Sequence, residues 1–277
     1  MGQITNRHNL PAAILAAVQN DPYVGGGDIS ATRLIDAPQI RVLGGKHHAE
    51  ITVDVSERVW ALLGQAVHTI LERAGLREQG MVVEERLYAE VNGWKVSGQV
   101  DTMHVEMHTL SDYKVTTVYK KDGSDSWTRQ LNVLRWLAHQ NGYTINTLEV
   151  IGIFRDWRKT EAQRNPDYPQ TAIQVIPVPI WSLEDTEEYI RERVWLHQAA
   201  SRGEEVPCTD EDRWFSGNTY ALMKHGAKRA TKVSSILSDF DLADPAEYTV
   251  ETRAGEFKRC EHYCDVREFC SQRKEGS

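Results

Sequence analysis

Long hydrophobic runs are missing from this sequence. No stretch of about eighteen apolar residues occurs among its 277, so nothing in it reads as a membrane-crossing helix. The opening residues, MGQITNRHNLPAAILAAVQND, contain a short apolar run but lack the charged start and small-residue cleavage site of a secretory signal. Asn6 stands where a myristoylation pattern wants Ser or Thr. These absences lead us to expect a soluble protein of the cytoplasm. Internal repeats and low-complexity tracts are also lacking, which excludes solenoid and linker architectures. Positive charge is in deficit: the formal charge is −8. That argues against broad nonspecific coating of nucleic acid, although a basic groove on an acidic body would not show in the total. Cysteine is scarce, with four residues, and none of them forms a CxxC pair. Paired-knuckle zinc ribbons are therefore disfavoured.

The patterning that is present alternates between helical and strand periods. Residues 1 to about 28 read as a loosely organised arm closed by the turn Gly25-Gly26-Gly27. Asp28 or Ser30 can cap a short helix that Pro38 would interrupt, and GGKH at 44–47 reads as a connection. Val59, Trp60, Leu63, Val67, Ile70 and Leu71 recur at helical spacing up to a terminator at Gly75. Alternating residues then turn at Asn92-Gly93, a strong hairpin signal. A third strand follows, then a helix over 127–140, the strand TLEVIGIFRDW, a proline-broken edge strand AIQVIPVPI, and a helix over about 183–200. Residues 201–277 show little periodicity. This order predicts an α/β chain in three parts: an arm and helical segment (1–45), a core (46–200) and a cysteine-containing subdomain (201–277).

The stretch SGQVDTMHVEMHTLSDYKV places Asp101 and Asp112 on successive strands, with Lys114 on the same face as Asp112. Converging carboxylates repel unless a divalent cation or a cross-strand partner neutralises them. A surface hairpin with an ordinary salt bridge would satisfy the same pattern. The company of the stretch favours chemistry: in LLGQAVHTILE, Gly64 clears space one helical turn from His68, and Gln130 opens a later helix that can point back at the strand ends.

Taken in order, GQAVH, VVEE, SGQVD, DYK and QLNVL resemble the RecB-like branch of the PD-(D/E)XK nucleases, which includes CRISPR-associated and phage recombination exonucleases. The resemblance runs from about residue 29 to 140, with a further match at the C-terminus. It implies a restriction-endonuclease-like core, a central mixed sheet flanked by helices, that hydrolyses DNA with Mg²⁺ or Mn²⁺. Carried over by position, His68, Asp101, Asp112 and the backbone carbonyl of Val115 would be metal ligands. Lys114 would position the attacking water. Glu85, or in second place Glu84, matches the acidic residue before the central strands, and Gln130 would contact DNA or steady the lysine. The chain departs from the pattern at Leu134, where the family has tyrosine. Attack on DNA ends or single strands, in phage or host recombination or repair and beside a recombination partner protein, is the activity implied. A DNA-binding protein that does not cut, and a structure- or site-specific endonuclease, stand as alternatives.

CEHYCDVREFC gathers Cys260, Cys264 and Cys270 within eleven residues. A triplet plus one remote cysteine suits a four-thiolate iron–sulfur cluster, with structural zinc as the alternative. The triplet resembles that of iron–sulfur RecB-like nucleases, whose fourth cysteine lies upstream beside a proline. Here that place reads Ala37-Pro38, and Cys208 is left to close a [4Fe–4S] cluster. Between the cysteines, Lys224, Lys228, Arg229 and Lys232 form the most basic stretch, following Trp214 and Tyr220. They are candidates for the DNA backbone, as is FRDWRK at 154–159. A solvated charged face would look the same.

Overall fold

The computed structural model describes residues 2–20, 25–74 and 80–275. In chain order, β1 (Gln3–Thr5) and α1 (Ala12–Gln19) precede β2 (Ile29–Ser30), the one-turn α2 (Ala31–Leu34), α3 (Pro38–Lys46) and β3 (Thr52–Asp54). The arm is not loose, because β1 and β3 pair in parallel. Asp54 fixes it: this buried carboxylate accepts the Arg7 amide at 2.8 Å, the Ser56 hydroxyl at 2.7 Å and the Thr5 hydroxyl at 2.9 Å. Those bonds, led by the Arg7 amide, hold its pKa well below the usual carboxylate range. Ser30 caps α2 by accepting from the Arg33 amide, while Asp28 accepts from the Lys95 amide instead. Pro38 does not interrupt a helix. It opens α3, where no N–H is needed, and residues 44–46 continue that helix rather than connecting elements.

A 3₁₀ turn (Val55–Arg58) leads into α4 (Val59–Glu72); the terminator expected at Gly75 lies outside the described residues. The helical spacing of α4 suggests a core face, yet none of its residues is buried, and Trp60 and Ile70 are 56% and 66% exposed. β4 (Met81–Val91) and β5 (Trp94–His104) form the expected hairpin, with Asn92 and Gly93 at φ 49° and 77°, the left-handed pair of a type I′ turn. Then come β6 (Thr109–Thr116), α5 (Asp125–Gln140), β7 (Thr147–Phe154), a short α6 (Lys159–Arg164), β8 (Ile173–Pro177) and α7 (Leu183–Ser201).

These strands build one mixed six-stranded sheet in the order β2-β5-β6-β7-β8, with β4 on the remaining side of β5. β6 and β7 run parallel, and β8 takes the edge, where Pro177, which has no N–H to donate, is tolerated. Helix α5 covers the sheet with the fully buried Leu131, Leu134 and Leu137. Its close approach depends on Gly98 of β5. A Cβ there would overlap the Leu134 side chain and come within 2.7 Å of Leu137. The glycine of SGQVD is thus a packing requirement of the helix–sheet interface.

Helix α7 carries the wholly buried His197. Its Nε2 donates to the Leu34 carbonyl at 3.1 Å, and its Nδ1 accepts from Arg41 Nε at 3.1 Å. Protonation would set an N–H against the Arg41 guanidinium inside the core. Burial first, and then the charges of Arg193 and Arg41, push this imidazole down to about 4. Between that value and the ordinary histidine range, the unfolded chain binds the extra proton and the native one does not, so stability rises with pH. We expect denaturant midpoints to fall as pH drops from about 6.5 to about 4, and His197→Gln to flatten that part of the profile. Equal slopes in both proteins would refute the assignment.

Residues beyond α7 are more regular than their sequence suggests. β9 (Thr219–Lys224), β10 (Ala230–Ser234) and β11 (Tyr248–Arg253) form an antiparallel sheet in the order β10-β9-β11. Its side chains are largely exposed on both faces, which removes the apolar alternation that announces a strand. A bridge between Phe215 and Phe257, with ring centroids 4.9 Å apart, closes its base, and α8 (Ser271–Glu275) ends the described chain.

Candidate metal centre and cysteine pocket

The polar centre lies where two strands part. β5 and β6 are paired at Thr102–Ser111, Met103–Leu110 and His104–Thr109. Asp101 and Asp112 are the next residues on each strand, beyond the last rung. The Asp101 carboxylate accepts the Tyr113 amide across the fork at 2.7 Å. Both aspartates are buried, at 9% and 2% exposure.

His68 reaches this fork from α4. Its Nε2 lies 3.1 Å from the Tyr113 carbonyl, leaving Nδ1 3.5 Å from Asp101 and 3.7 Å from Glu84. One ligand atom from each of His68, Glu84 and Asp101 lies within 4.8 Å of the other two. The acidic residue brought here is Glu84, not Glu85. Glu85 instead accepts the Tyr143 hydroxyl at 2.9 Å, away from the imidazole. The strand register explains the exchange: Val83 faces Thr102 and Glu85 faces Val100, so Glu84 is opposite Asp101. Glu84 adopts φ 53° in mid-strand, a strained conformation for a non-glycine residue, and the ladder skips it. Its other oxygen accepts from Gln99, which in turn accepts from Arg86. No local pattern separates Glu84 from Glu85; only the strained residue in the hairpin does.

Asp112 belongs to a second group. Its Oδ2 is 2.6 Å from Lys114 Nζ, and Gln130 Nε2 donates to its Oδ1 at 3.4 Å. Gln130 therefore points back at the strands as expected. Val115 follows on β6, opposite Ile153 of β7. Leu134, where the resemblance leads one to expect tyrosine, is buried against Gly98 of β5 in the core.

Three carboxylates thus face one ammonium and one imidazole. Burial and then the charge of Asp112 push Asp101 up to about 7. Burial alone would lower the Lys114 pKa, but Asp112 and Asp101 outweigh it and the net shift is upward. The hydrogen bond to Glu84 leads the upward shift of His68, reinforced by Asp101 and opposed by burial and Lys114. Such an excess of hard oxygen donors with one imidazole fits a divalent cation of the Mg²⁺ or Mn²⁺ type.

All four cysteines line a single pocket, together with Gln39, Ile40 and Leu43 of α3 and Arg259. Burial first, then Asp212 and the three other thiols, push Cys208 up to about 12. Gln272 clasps the Cys208 backbone, accepting its amide at 2.8 Å and donating to its carbonyl at 3.1 Å. Gln39 Nε2 lies 3.7 Å from Cys270 Sγ. Arg259 forks onto Asp36 at 2.7 and 2.9 Å, which ties the start of the Asp36-Ala37-Pro38 segment to the pocket wall. Among the described residues, only the His68 group has three ligand atoms within 4.8 Å of one another.

The basic stretch divides. Lys224 is paired with Glu247 at 3.8 Å and Lys232 with Asp239 at 3.9 Å, while Lys228 and Arg229 sit in the turn between β9 and β10. Trp214 packs against Tyr263 at 5.4 Å under the Arg259 guanidinium, and Tyr220 pairs with Ser234 and Thr252 in the small sheet. Among the described residues, no helix is long and apolar enough to cross a membrane.

No family model and no curated protein matches the chain. Among solved structures it is similar to SSO0001, with a TM-score of 0.47 and 16% identity, covering 85% of this chain and 96% of that one. It is also similar to a candidate exonuclease from Eubacterium rectale, with a TM-score of 0.34 and 15% identity, covering 65% of this chain and 64% of that one. With TM-scores below 0.5, the reading of the site rests on its own residues.

Proposed function

We propose that this chain is a metal-dependent nuclease with a PD-(D/E)XK core, hydrolysing phosphodiester bonds in DNA from ends or single strands. The observation that carries the reading is the meeting of His68, Glu84 and Asp101 beside the Asp112–Lys114 pair at the β5–β6 fork. His68, Glu84 and Asp101 would hold Mg²⁺ or Mn²⁺, with Asp112 and the Val115 carbonyl on the adjoining side. The cation supplies Lewis-acid polarisation of a phosphoryl oxygen and offsets the buried carboxylates. Lys114, held by Asp112, orients the attacking water and stabilises charge developing on the phosphate. Gln130 keeps Asp112 turned toward the lysine. Glu84 takes the role first assigned to Glu85.

In the same reading the four cysteines hold a [4Fe–4S] cluster, supported by their sharing one pocket. The family resemblance supports a role in phage or host recombination or repair, with a recombination protein as partner. The test is incubation with Mn²⁺ and end-labelled linear or closed circular single-stranded DNA. We expect the linear strand alone to be degraded, and Asp112→Ala to abolish degradation. Cutting of the circle would make the protein an endonuclease. Binding without cutting under any metal would overturn the nuclease reading.

A further inference from the structure

Helix α4 lies along β6 with the metal centre at one end and an aromatic–cationic pair at the other. His68 meets Tyr113. Eight residues earlier, about 12 Å along the helix, Trp60 stacks under Arg155, whose guanidinium carbon is 4.1 Å from the indole centroid. Arg155 is held by its own amide, which donates to the Thr116 carbonyl at 2.9 Å, two residues past Lys114. Between the two ends, Gly64 opens onto free space: a Cβ there would meet nothing within 4 Å.

The turns after β6 and β7, the second of which begins at Arg155, carry further cations and an aromatic ring. Tyr119 is 91% exposed in the turn after β6, and that turn is tied to the one after β7 by the Val118 amide donating to Asp156 at 2.9 Å. Lys120 in the first of these turns and Arg158 and Lys159 just after Asp156 of the second are exposed. Among the described residues, none of these three cations nor Arg155 pairs with a carboxylate, in contrast to Lys224 and Lys232 of the C-terminal sheet. An exposed indole held flat by a guanidinium, beside unpaired cations, has the chemistry of a base-stacking platform on a phosphate-binding track.

We infer that Trp60, braced by Arg155, stacks an unpaired base of the substrate strand and thereby selects single-stranded over duplex nucleic acid at the mouth of the site. The inference rests on the nuclease reading for its purpose but not for its test. The span of about 12 Å corresponds to three or four stacked nucleotides at 3.4 Å each. A strand seated on Trp60 therefore runs past Gly64 to deliver a nearby phosphate to Lys114. A paired base keeps its faces inside the helical stack and cannot use the platform.

The test is fluorescence anisotropy of the full-length protein with a labelled fifteen-nucleotide oligothymidylate, and with a blunt duplex of equal length, with Ca²⁺ replacing Mg²⁺. We expect Trp60→Ala to weaken single-strand binding about tenfold, Trp60→Phe to recover most of it, and duplex binding to change less than twofold. Arg155→Ala should weaken single-strand binding and reduce its salt dependence by about one phosphate contact. Trp195→Ala, an equally exposed tryptophan on α7, controls for loss of an indole elsewhere. Unchanged binding in Trp60→Ala, no recovery in Trp60→Phe, or no single-strand binding by the wild type would each overturn the inference. Expected binding without cleavage under any metal would overturn the nuclease reading and leave the platform standing. Cleavage with binding unmoved by Trp60→Ala would do the reverse.

Discussion

Lys114→Met is expected to slow metal-dependent phosphodiester hydrolysis by about 10²–10³-fold, the scale of losing one preorganised charge stabiliser. Substrate affinity should change far less, because the loss falls on the transition state. The same substitution should lower stability. Asp112 is 2% exposed, and its near oxygen has the Lys114 ammonium at 2.6 Å as its ion-pair partner. Removing the cation strands that charge. We expect a cost of about 3 kcal/mol, the low end for breaking a buried pair, because the Lys114 side chain retains 26% exposure. Lys114→Met with Asp112→Asn should recover much of that stability and no activity. Single-turnover rates and urea melts of the two variants measure both halves. If the double variant is no more stable than the single one, the ion pair is not the source of the loss.

Cys208→Ala should have the largest effect on the C-terminal region. The protein prepared without oxygen should be brown, contain about four irons per chain and lose its visible absorbance on reduction. The variant should be colourless and melt in a lower, broader transition. Few residues of this region are buried, chiefly Ala221, Phe240, Val266 and Cys270, so a group bound by the thiols would add a large share of its stability. Cys208 is well placed for this because Gln272 grips its backbone at both the amide and the carbonyl. Stoichiometric zinc in a colourless wild type would reject the cluster. A variant that retains iron and colour would reject Cys208 as its ligand.

The parts of this molecule that were legible in its sequence are those governed by local chemistry. Asn92-Gly93 announces its hairpin because few other pairs adopt two left-handed conformations cheaply. Pro177 at the end of β8 and Pro179 just past it mark an edge because they cannot donate to a neighbour. Asp101, Asp112, Lys114, His68 and Gln130 were placed as candidates by type and spacing, and the fold brings all five to one fork. What escaped were features decided at a distance. Glu84 and Glu85 are indistinguishable until strand register and a positive φ turn one toward His68. The apolar stripe of α4 looks like a core face and is largely open, since only the surroundings of a helix say what covers it. The C-terminal sheet escaped because a sheet wet on both faces leaves no alternation to read.

The Arg259–Asp36 and Gln39–Cys270 contacts join residues 223 and 231 positions apart. At a ribosomal rate of about 5–20 residues per second, α3 waits roughly 10–45 s after its own synthesis before its partners exist. During that interval the flank of α3 that faces the cysteine pocket has nothing to dock against. Maturation of this chain is therefore a race between completing the polypeptide and finding the wrong cover for that flank.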